Sequence, residues 1–362
     1  MNLTEKLRRG GAANAPGAGA RPRGGRIFAG ALLTIGLVVG VAACGGDDGG
    51  SASGSSGEGG GSIDLVAYST PQQAFEEGII PAFNETPEGE GVEFSTSFGS
   101  SGDQRRAVEE GLPADFVDLS LEPDMTALVE ADKVAPDWNK NKYEGKITDS
   151  VVTLSVRPGN PEGIEDWDDL VTEDVEIITP NPATSGGAKW NIMAAYGSQI
   201  AQGASEEEAL DFVAQIIENT SVLDDSARDS LQTFASGKGD VLIGYENEAI
   251  QAQDEGIELE YIIPDDTILI ENPAAVTVDA DDTATGFLDF VQSTEGQERF
   301  AEAGYRPVDP AVLEQNRDKF PEPANLFTID EFGGWSAVAD EFFDEENGSV
   351  FEIQRELGNP TE

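Results

Sequence analysis

The sequence predicts an α/β protein, parallel-rich sheets flanked by helices. Two observations carry this. Short apolar runs alternate with amphipathic helical runs from Ile63 to the C-terminal region, the pattern of parallel α/β sheets. Several turns from strand to helix are made of small hydroxyl and glycine residues, and in such sheets these turns lie beyond the carboxyl ends of the strands, where ligands bind. A length of 362 residues leaves room for two lobes once the ends are set aside.

The chain opens on a targeting segment. Lys6, Arg8, Arg9, Arg21, Arg23 and Arg26 form a basic region, and Ile27 to Ala43 is apolar. The run ends in Val41-Ala-Ala-Cys44, which resembles a bacterial lipoprotein signal, cleaved before the cysteine. Residues 1–43 are therefore read as a signal peptide. Cys44 is read as the lipidated residue that holds the protein on the outer face of the membrane. Gly45 to Ser62 contains no large apolar residue and reads as a flexible tether, so residues 44–62 form anchor and linker.

Ile63-Asp-Leu-Val-Ala-Tyr68 reads as a buried strand. Thr70 stands at an N-cap position and Pro71 at the first position of a helix over 72–83. Val92 to Phe98 alternates as a strand, and Gly99-Ser-Ser-Gly-Asp103 leads into a helix over 104–110. Ala114 to Leu119 is a third strand, with a helix over 125–131, and Val151 to Val156 is a fourth strand. Val175 to Ile178 feeds the loop Thr179-Pro-Asn-Pro-Ala-Thr-Ser-Gly-Gly187, which opens a helix over 188–196 with Ser185 as its cap. Glu206 to Glu218 carries Ala209, Phe212, Val213, Ile216 and Ile217 on one face of a helix. Val222 to Arg228 reads as a loop before a helical run ending near Ser236. Strands are expected over 240–245, 260–263 and 274–278, and helices over 246–253, 285–303, 310–316 and 337–343.

Composition removes several functions. There are 21 Lys and Arg against 70 Asp and Glu, a net charge of −49, so phosphate backbones would be repelled and nucleic acid is not expected as a partner. There is no His, the usual general base and a common metal ligand. The one Cys leaves no internal disulfide and no thiolate cluster. Asp168-Asp169 and Asp224-Asp225 read as solvated loop acids rather than metal ligands, and no cofactor is expected. What remains is a set of helix beginnings at Thr70, Ser101, Ser185 and Ala227. Helix N-termini present N–H groups without internal partners at the positive end of the dipole, and such sites attract oxyanions. Gly186 and Gly187 let a ligand approach their amides closely.

The motifs carry a resemblance. Thr179-Pro-Asn-Pro with Ser185-Gly-Gly-Ala-Lys-Trp-Asn191, Arg157-Pro-Gly-Asn-Pro161, Val222-Leu-Asp-Asp-Ser-Ala-Arg228, Gly239 to Ala249, and Phe327 to Trp335 resemble, in collinear order, blocks of the sulfate-binding proteins of ABC transporters. The resemblance implies a type II periplasmic-binding-protein fold, with two lobes and two strands crossing at a hinge. Lobe one would hold 63–154 and 263–362, and lobe two 155–262. It implies a monomer that binds sulfate through backbone N–H groups at Thr70, Ser101, Gly186, Gly187 and Ala227. The Ser185 hydroxyl and Tyr245 would add donors. It implies a membrane ABC permease as partner and no catalysis. Better-known members place a Trp where Tyr245 stands, so thiosulfate or another tetrahedral oxyanion such as molybdate remains an alternative ligand. An enzyme acting on sulfate or phosphate esters and a surface scaffold are the readings from other classes.

Sulfate carries no proton at neutral pH and offers only acceptors, so a pocket of donors suits it. Phosphate retains a proton and needs an acceptor. A buried hydroxyl without one costs about 1–3 kcal/mol.

Overall fold

The computed structural model describes residues 60–172 and 174–361. The leader, Cys44 and most of the tether lie outside the described residues. The first strand, β1 (Ser62–Tyr68), has five of its last six residues buried, which fixes it as a central strand. The chain then enters a helix that is π-helical over Ala74–Ile79 and α-helical (α1) over Ile80–Asn84. Next come β2 (Glu93–Gly99), α2 (Ser101–Glu109), β3 (Phe116–Asp118) and α3 (Glu122–Glu130). The long β4 (Lys146–Val156) leads to β5 (Ile177–Pro180), α4 (Gly186–Ala201), α5 (Glu206–Glu218) and β6 (Thr220–Asp224). After these follow α6 (Ala227–Ala235), β7 (Val241–Tyr245), α7 (Glu246–Asp254), β8 (Glu260–Ile262) and the long β9 (Asp266–Val276). The C-terminal part holds α8 (Asp282–Val291), α9 (Thr294–Glu302), β10 (Arg306–Pro307), α10 (Pro310–Gln315), β11 (Asn325–Phe327), α11 (Gly334–Phe342) and α12 (Ser349–Leu357).

The strands run in the order β2-β1-β3-β9-β4-β7-β5-β6. β1 pairs in parallel with β2 and β3, and β5 pairs in parallel with β6 and β7. Between these two groups run β4 and β9, each of 11 residues, antiparallel to one another. One end of β9 pairs with β3 (Asp118↔Ala274), and one end of β4 pairs with β7 (Val152↔Tyr245). Two long strands thus join two parallel groups, and the carboxyl ends of β1, β2 and β3 face the same region as those of β5, β6 and β7.

Each group has its own apolar packing. Phe75, Phe83, Phe116, Phe287 and Phe300 interlock edge-on over the first group, with Phe83 and Phe287 centroids 5.1 Å apart. Trp190, Met193, Phe212 and Ile216 of α4 and α5 pack under the second with Trp335, Val338, Phe342 and Phe351 from α11 and α12. The C-terminal helices therefore cover α4 and α5. Trp167 and Trp190 are fully buried, and Trp190 meets Trp335 edge-on at 4.6 Å, so these rings are core.

Some elements differ from the sequence reading. The run 222–228, read as a loop, contains the end of β6, because Leu223 and Asp224 continue the ladder beside Thr179 and Pro180. The helix expected over 285–303 breaks into α8 and α9 at Ser293, whose hydroxyl accepts from the Gly296 N–H at 3.2 Å. Residues 274–278 were only the end of β9. Its earlier half is masked in the sequence by Thr267, Glu271 and Asn272, two of which are buried polar residues. Thr70 does not cap its helix through the side chain.

Candidate functional site

Six strand ends meet at one cavity. Tyr68 closes β1, with Ser69 and Thr70 following. Gly99 closes β2 before Ser100 and Ser101, and Ser120 lies just past β3. Facing these stand Ser185, Gly186 and Gly187 after β5, Ala227 after β6 and Tyr245 at the end of β7. These residues, apart from Gly99, line the cavity together. All seven ligand candidates from the sequence, Thr70, Ser101, Ser185, Gly186, Gly187, Ala227 and Tyr245, are among them. The enclosed space is small, so only a small guest fits.

The donors are partly committed, and the pattern is informative. The Ser101 hydroxyl donates to Asp124 Oδ2 at 2.6 Å and accepts from the Ser120 N–H at 3.0 Å, so only its backbone N–H is left for a guest. Ser185 Oγ accepts from the Ala188 N–H at 3.4 Å, which leaves its proton free to donate. The Thr70 hydroxyl is buried with no partner among the described residues. No hydrogen bond to another described residue occupies the N–H groups of Thr70, Ser101, Gly186, Gly187 or Ala227. The last four open α2, α4 and α6, where helix geometry withholds partners from the first amides.

Ser120 was missed from sequence. It ties the two walls together, because its Oγ lies 3.0 Å from Tyr245 Oη and its carbonyl accepts from Trp190 Nε1 at 2.9 Å. The signal was present, since Ser120 follows the third strand just as Thr70 and Ser101 follow the first two. Tyr245 is 1% exposed, and burial drives its hydroxyl well above the ordinary tyrosine range, so it stays protonated. A second contact between the two walls, beside the cavity, is the Gly102 N–H donating to the Thr184 carbonyl at 3.2 Å.

Among the described residues no carboxylate lines the cavity. Asp103 turns to Ser100 Oγ (2.5 Å) and Arg106. Glu246 is buried against Arg306, which donates Nε to Oε2 at 2.6 Å and Nη2 to Oε1 at 3.0 Å. Two other buried acids stand behind the wall. Burial raises Asp118 well above the carboxylate range, and raises Glu248 to about 7 despite Arg228 nearby. Glu248 Oε2 lies 3.4 Å from the Tyr245 N–H. Among the described residues no cluster of His, Cys, Asp and Glu could hold a metal ion, and no helix is long and apolar enough to cross a membrane.

Two parallel groups joined by two long strands, with a small polar cavity at their shared carboxyl ends, define the two-lobed periplasmic-binding-protein fold. The chain belongs to the bacterial extracellular solute-binding proteins, whose family model matches residues 63–306. It is similar to the sulfate-binding protein of Synechococcus elongatus, with 41% identity over 328 residues, 86% of this chain and 92% of that one. It is also similar to the thiosulfate-binding protein of Pseudomonas aeruginosa, with 30% identity over 90% of this chain and 98% of that one. Among solved structures, the sulfate-binding protein SubI from Mycobacterium tuberculosis H37Rv matches at 44% identity and a TM-score of 0.76, covering 78% of this chain and 99% of that one.

Proposed function

We propose that the protein binds sulfate in this cavity and delivers it to the membrane permease of an ABC importer. The observation that carries the reading is a cavity lined by amides and hydroxyls with no carboxylate on its wall. Such a lining fits an ion that only accepts hydrogen bonds. Fixed peptide dipoles and helix ends supply the field without a formal charge. The relatives named for sulfate binding support the choice of ion. Thr70, Ser101, Gly186, Gly187 and Ala227 would donate through N–H, and Ser185 and Tyr245 through hydroxyls. The protein would act as a receptor and not as an enzyme, as a monomer, anchored outside the cell membrane by lipid on Cys44. Residues 63–154 and 263–362 would form one lobe and 155–262 the other, with the α11–α12 region lying over α4 and α5 of the second.

Thiosulfate is the second reading, favoured by the thiosulfate-binding relative. Calorimetry with sulfate, thiosulfate and molybdate in competition separates the two. Tight sulfate binding, displaced weakly by the others, is expected. Heat with thiosulfate and none with sulfate would reverse the assignment.

A further inference from the structure

A second, wider cleft adjoins the inner cavity. It measures ≈ 680 Å³ against ≈ 10 Å³. Gly186 lines both, and Gly102 and Thr184, whose backbone hydrogen bond spans the boundary at 3.2 Å, line the outer one. In a chain with 21 basic and 70 acidic side chains, this cleft gathers Arg105, Arg106, Lys189 and Arg355. Asp124, Glu345 and Glu346 line it too.

Three of the four cations are engaged. Arg105 pairs with Glu109 at 2.6 Å and Asp124 at 3.3 Å, and Arg106 pairs with Asp103. Arg355 donates to the backbone carbonyls of Glu345 at 3.0 Å and Glu346 at 3.1 Å. Lys189 differs from all of them. Its ammonium makes no hydrogen bond or ion pair with another described residue and sits 5.4 Å over the Phe343 ring. The charged groups that face it are Asp124, Arg105, Arg106 and Glu345, and burial lowers its pKa from the ordinary lysine value. A partly desolvated cation with acids nearby but no direct ion pair is incompletely compensated, and a visiting anion relieves that cost.

We propose that this cleft is an outer station for the same small oxyanion, with Lys189 as its free charge, and that the ion is captured there before it passes Gly186 into the inner cavity. The inference rests on the inner cavity being the anion site. A net charge of −49 repels a dianion at a distance. Within a Debye length, roughly 8–10 Å, distant carboxylates are screened and the Lys189 ammonium, free of any ion pair with a described residue, is the cation left to meet the ion. Clefts of one sign next to a binding site raise association rates by about 10- to 1,000-fold; here three acids share the lining, so one free cation is worth only a small part of that.

Stopped-flow binding of sulfate, followed by tryptophan fluorescence, tests this on the whole mature chain and on the Lys189→Met and Lys189→Arg variants. The association rate constant of Lys189→Met is expected to fall about three- to tenfold at low ionic strength. Its dissociation rate should change less than about twofold, and the gap should close at high salt. Lys189→Arg should restore the rate. Unchanged association in Lys189→Met, or a change confined to dissociation, would overturn the outer station while leaving the inner site intact. Absence of sulfate binding by calorimetry in the unaltered protein would sink both.

Discussion

The inner cavity and the outer cleft sit side by side and handle negative charge in opposite ways. The inner one is lined by amides and hydroxyls alone, while the outer one holds four basic side chains among three acids. The difference has a physical reason. In a tight dry site, fixed dipoles act at full strength and can tell an acceptor from a donor atom by atom. Point charges at longer range read only the sign of the ion. Selectivity belongs to the inner wall, and the rate of capture belongs to the cleft. A third region shows what a formal charge needs when buried, because Glu246 is held by a two-pronged Arg306 and by no guest.

The largest effect is expected at Gly186. A Cβ there would stand 2.8 Å from Leu121 Cγ and 2.8 Å from Ser120 Cβ on the opposite wall. Gly186→Val should hold the walls apart and lower sulfate affinity by roughly 100-fold or more, since overpacking of this kind costs about 1–3 kcal/mol even before donors are lost. Circular dichroism should show the fold intact. Unchanged affinity in a folded variant would remove this loop from the site. A smaller loss, roughly 10- to 100-fold, is expected for Ser185→Ala, which removes one hydrogen bond to a charged guest. Its weak cap at 3.4 Å adds only a modest stability change. If Ser185→Ala changed only the association rate, the division between wall and cleft would be wrong.

A pH dependence follows from Glu248. Its pKa is raised by burial from 4.5 to about 7. The unfolded chain releases this proton in the ordinary carboxylate range while the folded protein keeps it, so the folded state binds more protons and stability falls as pH rises from about 4.5 to about 7. Thermal unfolding of the free protein should therefore show a falling midpoint across that window, with a shallower fall in Glu248→Gln. Above about 7 the ionised carboxylate stands behind Tyr245, and sulfate affinity should drop roughly two- to tenfold between pH 6 and 8. Affinity that is flat in the native protein, or equally sloped in Glu248→Gln, would show that the acid does not act on the guest.

Much of this was legible in the sequence. The strand, small-residue turn and helix beginnings at Ser101, Ser185 and Ala227 were read from local chemistry, and the structure brings them to one cavity because their strands are parallel within each group. Ser120 was missed because the entry into α3, Ser120-Leu-Glu-Pro123, carries a leucine and a proline in place of glycines. The long-range facts were not legible. No local pattern says that Arg306, some sixty residues on, neutralises Glu246. None places α12 against α5, since short amphipathic stretches near a chain end have many possible partners. β9 was half hidden because a strand joining two groups buries polar residues such as Thr267 and Asn272 through hydrogen bonds.

The most direct test is the ratio of sulfate to phosphate affinity, measured by calorimetry on one preparation from pH 5 to 8. Any effect of Glu248 on the charge of the site acts largely on both ions, whereas only phosphate carries a proton that this wall must accept. Sulfate should win by roughly tenfold or more at every pH, and most strongly at the acid end, where phosphate is most protonated. A ratio near one, or a preference for phosphate that grows as the pH falls, would contradict a wall without a carboxylate acceptor.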